Sequence, residues 1–170
     1  MTTWTASVGD ILDASADVLI CSANPQLNLS GGVGGAFLVR FGRAMQDFLH
    51  VWLKELHLRF AMPGTVVMTP AMGSPFTTVV HAVAIDAFYD TSPALIRATY
   101  SNAFAALGES DGARVAAACL GCGYGRVTVR QFVDAISDFL GKDLPGIEEV
   151  HFVSTNTELI DAIRAKIKPS

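Results

Sequence analysis

The segment VLICSANPQLNLSGGVGGAF, residues 18–37, joins three patterns that together decide the fold. Residues 18–21 form a short apolar run of the length that suits a buried strand. Residues 22–35 are polar and rich in glycine, which predicts a loop. From residue 36 to about residue 58 apolar residues return at helical spacing, and Gly42 predicts an interruption. A strand, a glycine-rich loop and a helix in this order indicate one unit of an α/β fold.

The rest of the chain continues the alternation of strands and helices. Runs rich in Val, Thr and Ala predict strands at residues 65–69, 78–85, 114–120 and 149–154. Helical spacing predicts helices at residues 93–107, at residues 129–140 and near the C-terminus. Ser92 before Pro93 is a typical helix start, and Thr155 with Glu158 predicts a capping box for the last helix. We expect one α/β domain over residues 1–170, with a mixed sheet covered on both faces.

The composition is typical of a compact domain with few charges. Apolar residues make up 51% of the chain and charged residues 16%. No apolar run reaches the ~18 residues of a membrane span, and the first residues, MTTW, lack the features of a signal peptide. We therefore expect a cytoplasmic protein without a membrane partner. The three cysteines, Cys21, Cys119 and Cys122, are then expected to be free thiols.

The charge pattern restricts how this protein could hold a phosphate group. The net charge is −4, and no run of Lys or Arg occurs. General binding to nucleic-acid backbones depends on clustered cations, so we do not expect it. A phosphate bound here must be held by something other than bulk positive charge.

Two glycine-rich segments, residues 31–35 and 121–125, each follow an apolar strand and precede a helix. In open α/β sheets, ligands bind beyond the carboxyl ends of the strands. A helix start with unpaired amides, beside residues without side chains, is an anion site. The second segment can form a similar concave nest of amides. Two such segments at one sheet edge predict a diphosphate site that needs no lysine.

Neither segment is specific by itself. Glycines after strands also form tight turns, and that interpretation fits each segment equally well. No Gly-Lys-Ser/Thr follows, so neither segment is a Walker loop. The spacing does not match G-x-G-x-x-G, which disfavours a nicotinamide-type Rossmann site.

Other candidate side chains lack a pattern that indicates chemistry. Cys119 and Cys122 form a C-x-x-C, but no second pair accompanies them, so we expect neither redox activity nor a metal site. His81 lies inside an apolar strand and is expected to be a hydrogen-bonded core residue. The other histidines, His50, His57 and His151, share no spacing with a carboxylate or a cysteine.

Several motifs occur in the order and spacing of the macrodomain family, and the resemblance extends over almost the whole chain. GDI, residues 9–11, resembles the family's opening Gly-Asp-Ile, and VLICSAN, residues 18–24, resembles its strand ending in Asn-Ala-Ala-Asn. GGVGGA, residues 31–36, is similar to Gly-Gly-Val-Asp-Gly-Ala. LGCG, residues 120–123, is similar to the second phosphate loop, while PG at residues 63–64 and VHAV at residues 80–83 match the middle strands. Each motif is short, and the combination is what is specific.

The resemblance implies a three-layer α/β/α fold with six strands, and ADP-ribose as a ligand at the sheet edge, with no other cofactor. It implies that Asp10 accepts a hydrogen bond from the adenine amino group, near the amide of Ile11. Asn24 would reach the ribose next to the cleavable bond. The diphosphate would lie between two sets of residues: Gly32, Val33, Gly34 and Gly35 on one side, and Gly121, Cys122, Gly123 and Tyr124 on the other.

Three of these side chains have a second interpretation from the residues alone. Asp10 is also a typical turn residue that caps nearby amides, and Asn24 could simply hold the loop before Pro25. Tyr124 could be a half-buried aromatic at a loop edge. Thr155 and Asn156 stand where the family often has an aromatic against adenine, so we expect weaker packing on the base.

The resemblance implies two functions: binding of ADP-ribose or of ADP-ribosylated macromolecules, and hydrolysis that removes ADP-ribose from protein, nucleic acid or an acetyl ester. The resemblance implies that one group of hydrolases carries an aspartate at the position of Gly34 and an asparagine at the position of Cys21. A second branch uses an aspartate at the position of Gly125 and a lysine in the helix that here offers Leu38, Val39 and Arg40. Arginine is a poor nucleophile because it stays protonated.

We therefore expect binding, with hydrolysis through Asn24, a bound water and the substrate phosphate as the alternative. Recognition of another nucleotide diphosphate or of a polyadenylate end is a third interpretation. The acidic net charge disfavours RNA. Nucleic acid is thus expected as a partner only when it carries ADP-ribose.

Overall fold

Six strands form one sheet in the computed structural model, which describes residues 1–167. The strands are β1 Thr3–Val8, β2 Val18–Ala23, β3 Val66–Pro70, β4 Thr78–Val83, β5 Ala113–Ala118 and β6 Ile147–Ser154. Their order is β1-β6-β5-β2-β4-β3. All neighbours run parallel except β3, which is antiparallel to β4. The expected mixed sheet is confirmed.

Helices cover both faces of this sheet. They are α1 Gly32–Phe41, α2 Ala44–Glu55, α3 Pro93–Ala106, α4 Val129–Ile136 and α5 Thr157–Lys166, with a short 3-10 helix at Ile11–Asp13. One face packs against the 3-10 helix, α1 and α2, and the other packs against α3, α4 and α5. The three-layer α/β/α arrangement is therefore confirmed. Within residues 1–167, no helix has the length and apolar character needed to cross a bilayer.

The core on the α3–α5 face is rich in aromatic rings. Tyr100 on α3 is fully buried and packs against Phe132 and Phe152. Its hydroxyl donates to the carbonyl of Ala118 (2.5 Å) and accepts from the amide of Leu120 (3.2 Å). These bonds anchor the end of β5, and with it the second glycine segment, to α3.

The core on the α1–α2 face is mainly aliphatic, apart from Phe37 and Phe76, and contains a buried histidine. His81 on β4 is 1% exposed, and its Nε2 lies 3.2 Å from Thr69 Oγ1. Its Nδ1 is buried without a partner among the described residues. The expectation of a core histidine is confirmed, but the ring is bonded on one side only. Burial lowers the pKa of His81 to about 4, because the charged form loses its hydration.

Several boundaries differ from the sequence prediction. Helix α1 begins at Gly32, so the residues that were expected to end a loop form its first turn. The predicted interruption at Gly42 is confirmed, since this residue has φ +86°. The last helix is capped by Asn156, which accepts from the amide of Leu159 (3.2 Å), so the predicted Thr155–Glu158 box is wrong. Helix α4 ends at Ile136, earlier than predicted.

Strand β1 is absent from the sequence prediction. Its alternation of exposed and buried residues places Trp4 and Ala6 in the core, where they pack on the face covered by α3–α5. The alternating pattern of TWTASV could have indicated this strand, but three of its six residues are small and polar. The strand brings Gly9 and Asp10 to the edge of the sheet where the other parallel strands end.

Candidate functional site

One edge of the sheet gathers the loops that carry the predicted site residues. Five of the six strands run parallel, so their carboxyl ends meet there. The loops after β1, β2, β4, β5 and β6 therefore lie side by side, as expected for ligand sites in open α/β sheets. They form a groove with two adjoining halves.

We name the halves of the groove after one residue in each. The Asn24 half has a volume of about 280 Å³ and is lined mainly by Asn24, Asn28, Ser30, Gly34, Tyr89 and Tyr124. The Asp10 half has a volume of about 490 Å³ and is lined mainly by Asp10, Ile11, Cys122, Val153, Thr155 and Asn156. Four residues line both halves: Ser22, Gly32, Val33 and Gly123. The two glycine segments thus face each other where the halves meet.

The first glycine segment presents the N-terminal amides of α1 to this groove. Gly31 is the N-cap and provides no side-chain cap. The amides of Gly32, Val33 and Gly34 have no intrahelical partner, because an α-helix leaves its first amides unpaired. The amide of Gly35 already donates to the carbonyl of Gly31 (2.8 Å). Gly35 does not line the groove, and its contact with a diphosphate stays a prediction.

The second glycine segment is held more tightly by its surroundings. Gly121 has φ +77°, and a Cβ there would lie 2.9 Å from Ile96 Cδ1. A Cβ on Gly125 would lie 2.6 Å from the carbonyl oxygen of Gly121. Gly123 differs, because a Cβ there would meet nothing within 4 Å. The amides of Gly123 and Tyr124 have no hydrogen-bond acceptor within residues 1–167.

Within residues 1–167, the lining of the groove provides no cation to balance a bound anion. Among the described residues, no Lys or Arg lines either half. Backbone amides from α1 and from the second glycine segment line the middle of the groove. Amides at a helix start, with the positive end of its dipole, bind phosphate groups without a lysine.

Asp10 lies in its half of the groove but is already engaged. Its Oδ1 accepts from the amide of Leu12 (2.9 Å), which makes it the N-cap of the 3-10 helix. Its Oδ2 accepts from Arg40 Nη2 (2.7 Å), and Arg40 Nη1 donates to Asp13 (2.7 Å). Each carboxylate oxygen has a second lone pair, so Asp10 retains capacity for a ligand. Arg40 is thus bound at the Asp10 end, away from the Asn24 half.

Asn24 is mainly a loop-holding residue in this structure. Its side-chain N–H donates to the carbonyl of Asn28 (2.9 Å), and its Oδ1 accepts from the amide of Asn28 (3.0 Å). The residue is 8% exposed. Contact between Asn24 and a ribose stays a prediction, and Asn28 is a second asparagine at the same place.

Aromatic rings form the outer rim of the Asn24 half. Tyr124 reaches across the groove, and a Cβ on Gly31 would overlap its hydroxyl. The ring of Tyr89, from the loop after β4, lies with its centroid 5.7 Å from that of Tyr124. The sequence prediction included Tyr124 but not Tyr89. The position of Tyr89 after a parallel strand could have indicated it.

The Asp10 half suits a flat ring in spite of its lack of an aromatic. Ile11, Val153 and Leu159 supply apolar surface, while Thr155 and Asn156 lie beside them. Asn156 also caps α5, because its side-chain Oδ1 accepts from the amide of Leu159. Both residues line the groove as predicted, and their contact with a base stays a prediction.

The cysteines of the C-x-x-C are protonated thiols at neutral pH. Burial raises the pKa of the Cys122 thiol to about 12 and raises the pKa of Cys119 further. A protonated thiol is a poor nucleophile. Cys122 therefore contributes its position in the groove rather than thiol chemistry.

Comparison with known proteins agrees with this geometry. A family model described as Macro domain matches residues 20–136. The chain therefore belongs to the Macro domain family. No curated protein matches its sequence.

Solved macrodomains share the fold over nearly the whole chain. The Trypanosoma brucei macrodomain in complex with ADP has a TM-score of 0.81 at 17% identity, over 98% of this chain and 69% of that one. A glycine-to-valine variant of the Oceanobacillus iheyensis macrodomain with ADPR has a TM-score of 0.79 at 20% identity, over 95% and 89%. The Trypanosoma brucei macrodomain in complex with ADP-ribose has a TM-score of 0.67 at 19% identity, over 97% and 69%.

Proposed function

We propose that this macrodomain binds ADP-ribose, free or attached to a macromolecule. The observation that carries the proposal is a groove lined by no Lys or Arg in the described chain, with free amides from two glycine segments at its middle. A diphosphate there would accept from the amides of Val33 and Gly123. The solved macrodomains with ADP-ribose or ADP support the same ligand.

The lining of the two halves suggests the orientation of the ligand. Adenine fits the Asp10 half, where apolar side chains flank a carboxylate able to accept from its amino group. The distal ribose fits the Asn24 half, whose Asn28 and Ser30 provide polar partners for hydroxyl groups. A macromolecule attached to that ribose would leave the groove near Asn28 and Tyr89.

A substitution at Gly123 tests this proposal with little risk to the fold. A Cβ at Gly123 meets no protein atom within 4 Å, so Gly123→Ala should fold with wild-type stability and should lose less affinity for ADP-ribose than a charged substitution. Gly123→Glu places a negative charge beside the diphosphate and should weaken binding at least about 100-fold, or about 2.7 kcal/mol. Calorimetry with ADP-ribose measures both variants. Normal binding by Gly123→Glu would show that the second glycine segment does not contact the ligand.

We infer slow or undetectable hydrolysis for the wild-type domain. Within the described residues, no carboxylate and no histidine lines the Asn24 half. A positioned acid or base typically contributes about 10²–10⁴-fold to the rate. Release of ADP-ribose from a mono-ADP-ribosylated protein, followed by chromatography, tests this inference. Fast release that depends on Asn24 would instead establish the hydrolase alternative.

A further inference from the structure

The loop after β2 is held from outside the groove by two side chains of α2. The first is Gln46, which is 8% exposed and bonds the backbone of this loop twice. Its Oε1 accepts from the amide of Leu29 (2.6 Å), and its Nε2 donates to the carbonyl of Leu27 (2.8 Å). A backbone amide can only donate and a carbonyl can only accept, so these bonds fix which end of the Gln46 amide is the nitrogen.

The second N–H of Gln46 determines the role of His50, one turn further along α2. Gln46 Nε2 lies 2.9 Å from His50 Nε2. Because the Gln46 nitrogen can only donate, the ring nitrogen must be the acceptor. In the neutral imidazole, the proton then lies on Nδ1. Gln46 therefore selects one tautomer of His50.

His50 in turn orients the side chain of Asn28. The Asn28 amide also lies against His50 Nε2, with Oδ1 at 2.9 Å. Two acceptors in contact repel each other, since neither supplies a proton. A half-turn of the Asn28 amide places its N–H group against the ring with little change in shape. The orientation that satisfies His50 therefore directs the Asn28 oxygen away from the ring.

Asn28 lies between the groove and the concavity that contains His50. It lines the Asn24 half, and it also lines a neighbouring concavity beside His50 and His57. Its two bonds to Asn24 use only the backbone of Asn28. Within residues 1–167, the end of its side-chain amide that does not face His50 has no hydrogen-bond partner. In the rotated amide, this free end is the oxygen.

We propose that Asn28 selects the distal ribose of ADP-ribose by accepting from one of its hydroxyl groups, and that His50 and Gln46 are positioning residues that hold this oxygen toward the groove. The inference rests on the proposed function, which places that ribose in the Asn24 half. Ribose hydroxyls donate, yet no carboxylate among the described residues lines this half. The side-chain oxygen of Asn24 already accepts from the amide of Asn28 (3.0 Å). The Asn28 oxygen supplies the acceptor that this half otherwise lacks.

Two substitutions of His50 separate orientation from charge. His50→Glu places an acceptor beside Asn28 and keeps its oxygen toward the groove, whereas His50→Lys places a donor there and turns the oxygen away. Orientation therefore favours the Glu variant for ribose binding. Simple attraction to a diphosphate favours the Lys variant, so the two explanations predict opposite orders. His50 is exposed, so both variants should fold.

Calorimetry with ADP-ribose and with ADP, which lacks the distal ribose, measures the effect as the ratio of the two affinities. We expect the wild type to bind ADP-ribose about tenfold more tightly than ADP. His50→Glu should keep most of this ratio. His50→Lys and Asn28→Ala should each reduce it by about three- to tenfold, as expected for one hydrogen bond. Asn28→Ala should leave the affinity for ADP unchanged.

The tautomer of His50 provides an independent readout. At about pH 8, above the usual titration range of histidine, proton–nitrogen NMR of the wild type should place the ring proton on Nδ1. A proton on Nε2 would overturn the proposed orientation of Asn28.

The matched control uses the same two substitutions at His57, which lines the same concavity without a side-chain hydrogen bond within residues 1–167. Neither substitution should change the ratio. A wild-type ratio in His50→Lys or in Asn28→Ala, or a lower ratio in His50→Glu than in His50→Lys, would each overturn this inference alone. Failure of the wild type to bind ADP-ribose would overturn the proposed function with it.

Discussion

The two glycine segments are similar in sequence but differ in secondary structure and in packing. Residues 32–35 are the first turn of α1, and a Cβ on Gly34 or Gly35 would make only ordinary contacts, at 3.4 Å and 3.5 Å. In the second segment, Gly121 and Gly125 have no room for a Cβ, and only Gly123 faces open space. The first segment provides helix amides, while the second is a packed turn that exposes a few amides.

This difference shows that a glycine pattern does not by itself indicate which residues serve a ligand. The first segment rests on the aliphatic core through Leu29, and the second rests on the aromatic core through Ile96 and Tyr100. Substitutions in the second segment, except at Gly123, should therefore lower the stability of the fold as well as any ligand affinity. Substitutions at Gly34 and Gly35 in the first segment should be better tolerated.

The largest expected effect concerns the core beneath the first segment, and it depends on pH. His81 is aligned with Cys21 of β2, the strand that leads into this segment. Burial lowers the pKa of His81 from 6.5 to about 4, so between these values the unfolded chain binds a proton that the folded chain does not. The free energy of unfolding is therefore at its full value above pH 6.5. It falls by about 3 kcal/mol as the pH drops from 6.5 to 4.

Urea unfolding of the wild type and of His81→Gln, at several pH values, measures this contribution. The control variant should show a smaller loss of stability on acidification, because its side chain does not titrate. The same pH dependence in both proteins would contradict the assignment to His81.

The second largest effect is expected in the second segment. Gly125→Asp adds a side chain whose Cβ would meet the carbonyl oxygen of Gly121 at 2.6 Å. Overpacking of this kind typically costs about 1–3 kcal/mol. Thermal or urea unfolding measures the loss, with Gly123→Ala as the matched control expected to remain near the wild type. Wild-type stability of Gly125→Asp would show that the turn is looser than its packing indicates.

A smaller effect should appear at the end of the groove where Arg40 ties α1 to the 3-10 helix. Asp10→Asn removes the charge that would accept from adenine, and ADP-ribose affinity should fall by about 1–3 kcal/mol. Asp13→Asn is the control, since Asp13 binds Arg40 but does not line the groove. Calorimetry should separate the two variants. Equal affinities would leave Asp10 as a turn residue only.

The smallest effect is expected for Gly34→Asp in the first segment. Gly34 is helical, so an aspartate meets no left-handed strain, and a carboxylate near a helix N-terminus gains about 0.3–1 kcal/mol. This gain offsets the contact with Leu29, and the stability should change by less than about 1 kcal/mol. A loss of stability as large as that of Gly125→Asp would contradict the difference in packing between the two segments.

The sequence predicts most of this fold because each long element has a strong local pattern. The run at residues 18–21 and the Ser92–Pro93 helix start appear where expected, and Ser92 caps α3 by accepting from the amide of Leu95. Strand β1 is harder to recognise, since its stability comes from the burial of Trp4 and from pairing with β6 at the far end of the chain.

The site is predictable as far as its residues follow strands. All predicted groove residues except Gly35 line the groove. Asn28 and Tyr89 are absent from the prediction. The position of Tyr89 after β4 could have indicated it, although its φ of +65° is not visible in the sequence. Asn28 owes its place to hydrogen bonds with Asn24, which the sequence does not indicate. From the sequence, either Thr155 or Asn156 could be the N-cap of α5. In the structure β6 ends at Ser154, and Asn156 is the N-cap.

The central claim is that amides from both glycine segments, rather than cations, hold a diphosphate between two ligand subsites. Calorimetric titration of the wild type with ADP-ribose and with AMP, at low and at physiological salt, tests it most directly. We expect a Kd for ADP-ribose of about 1–100 μM, AMP at least about tenfold weaker, and little change with salt. Equal affinity for the two ligands, or a steep loss of affinity with salt, would contradict the account.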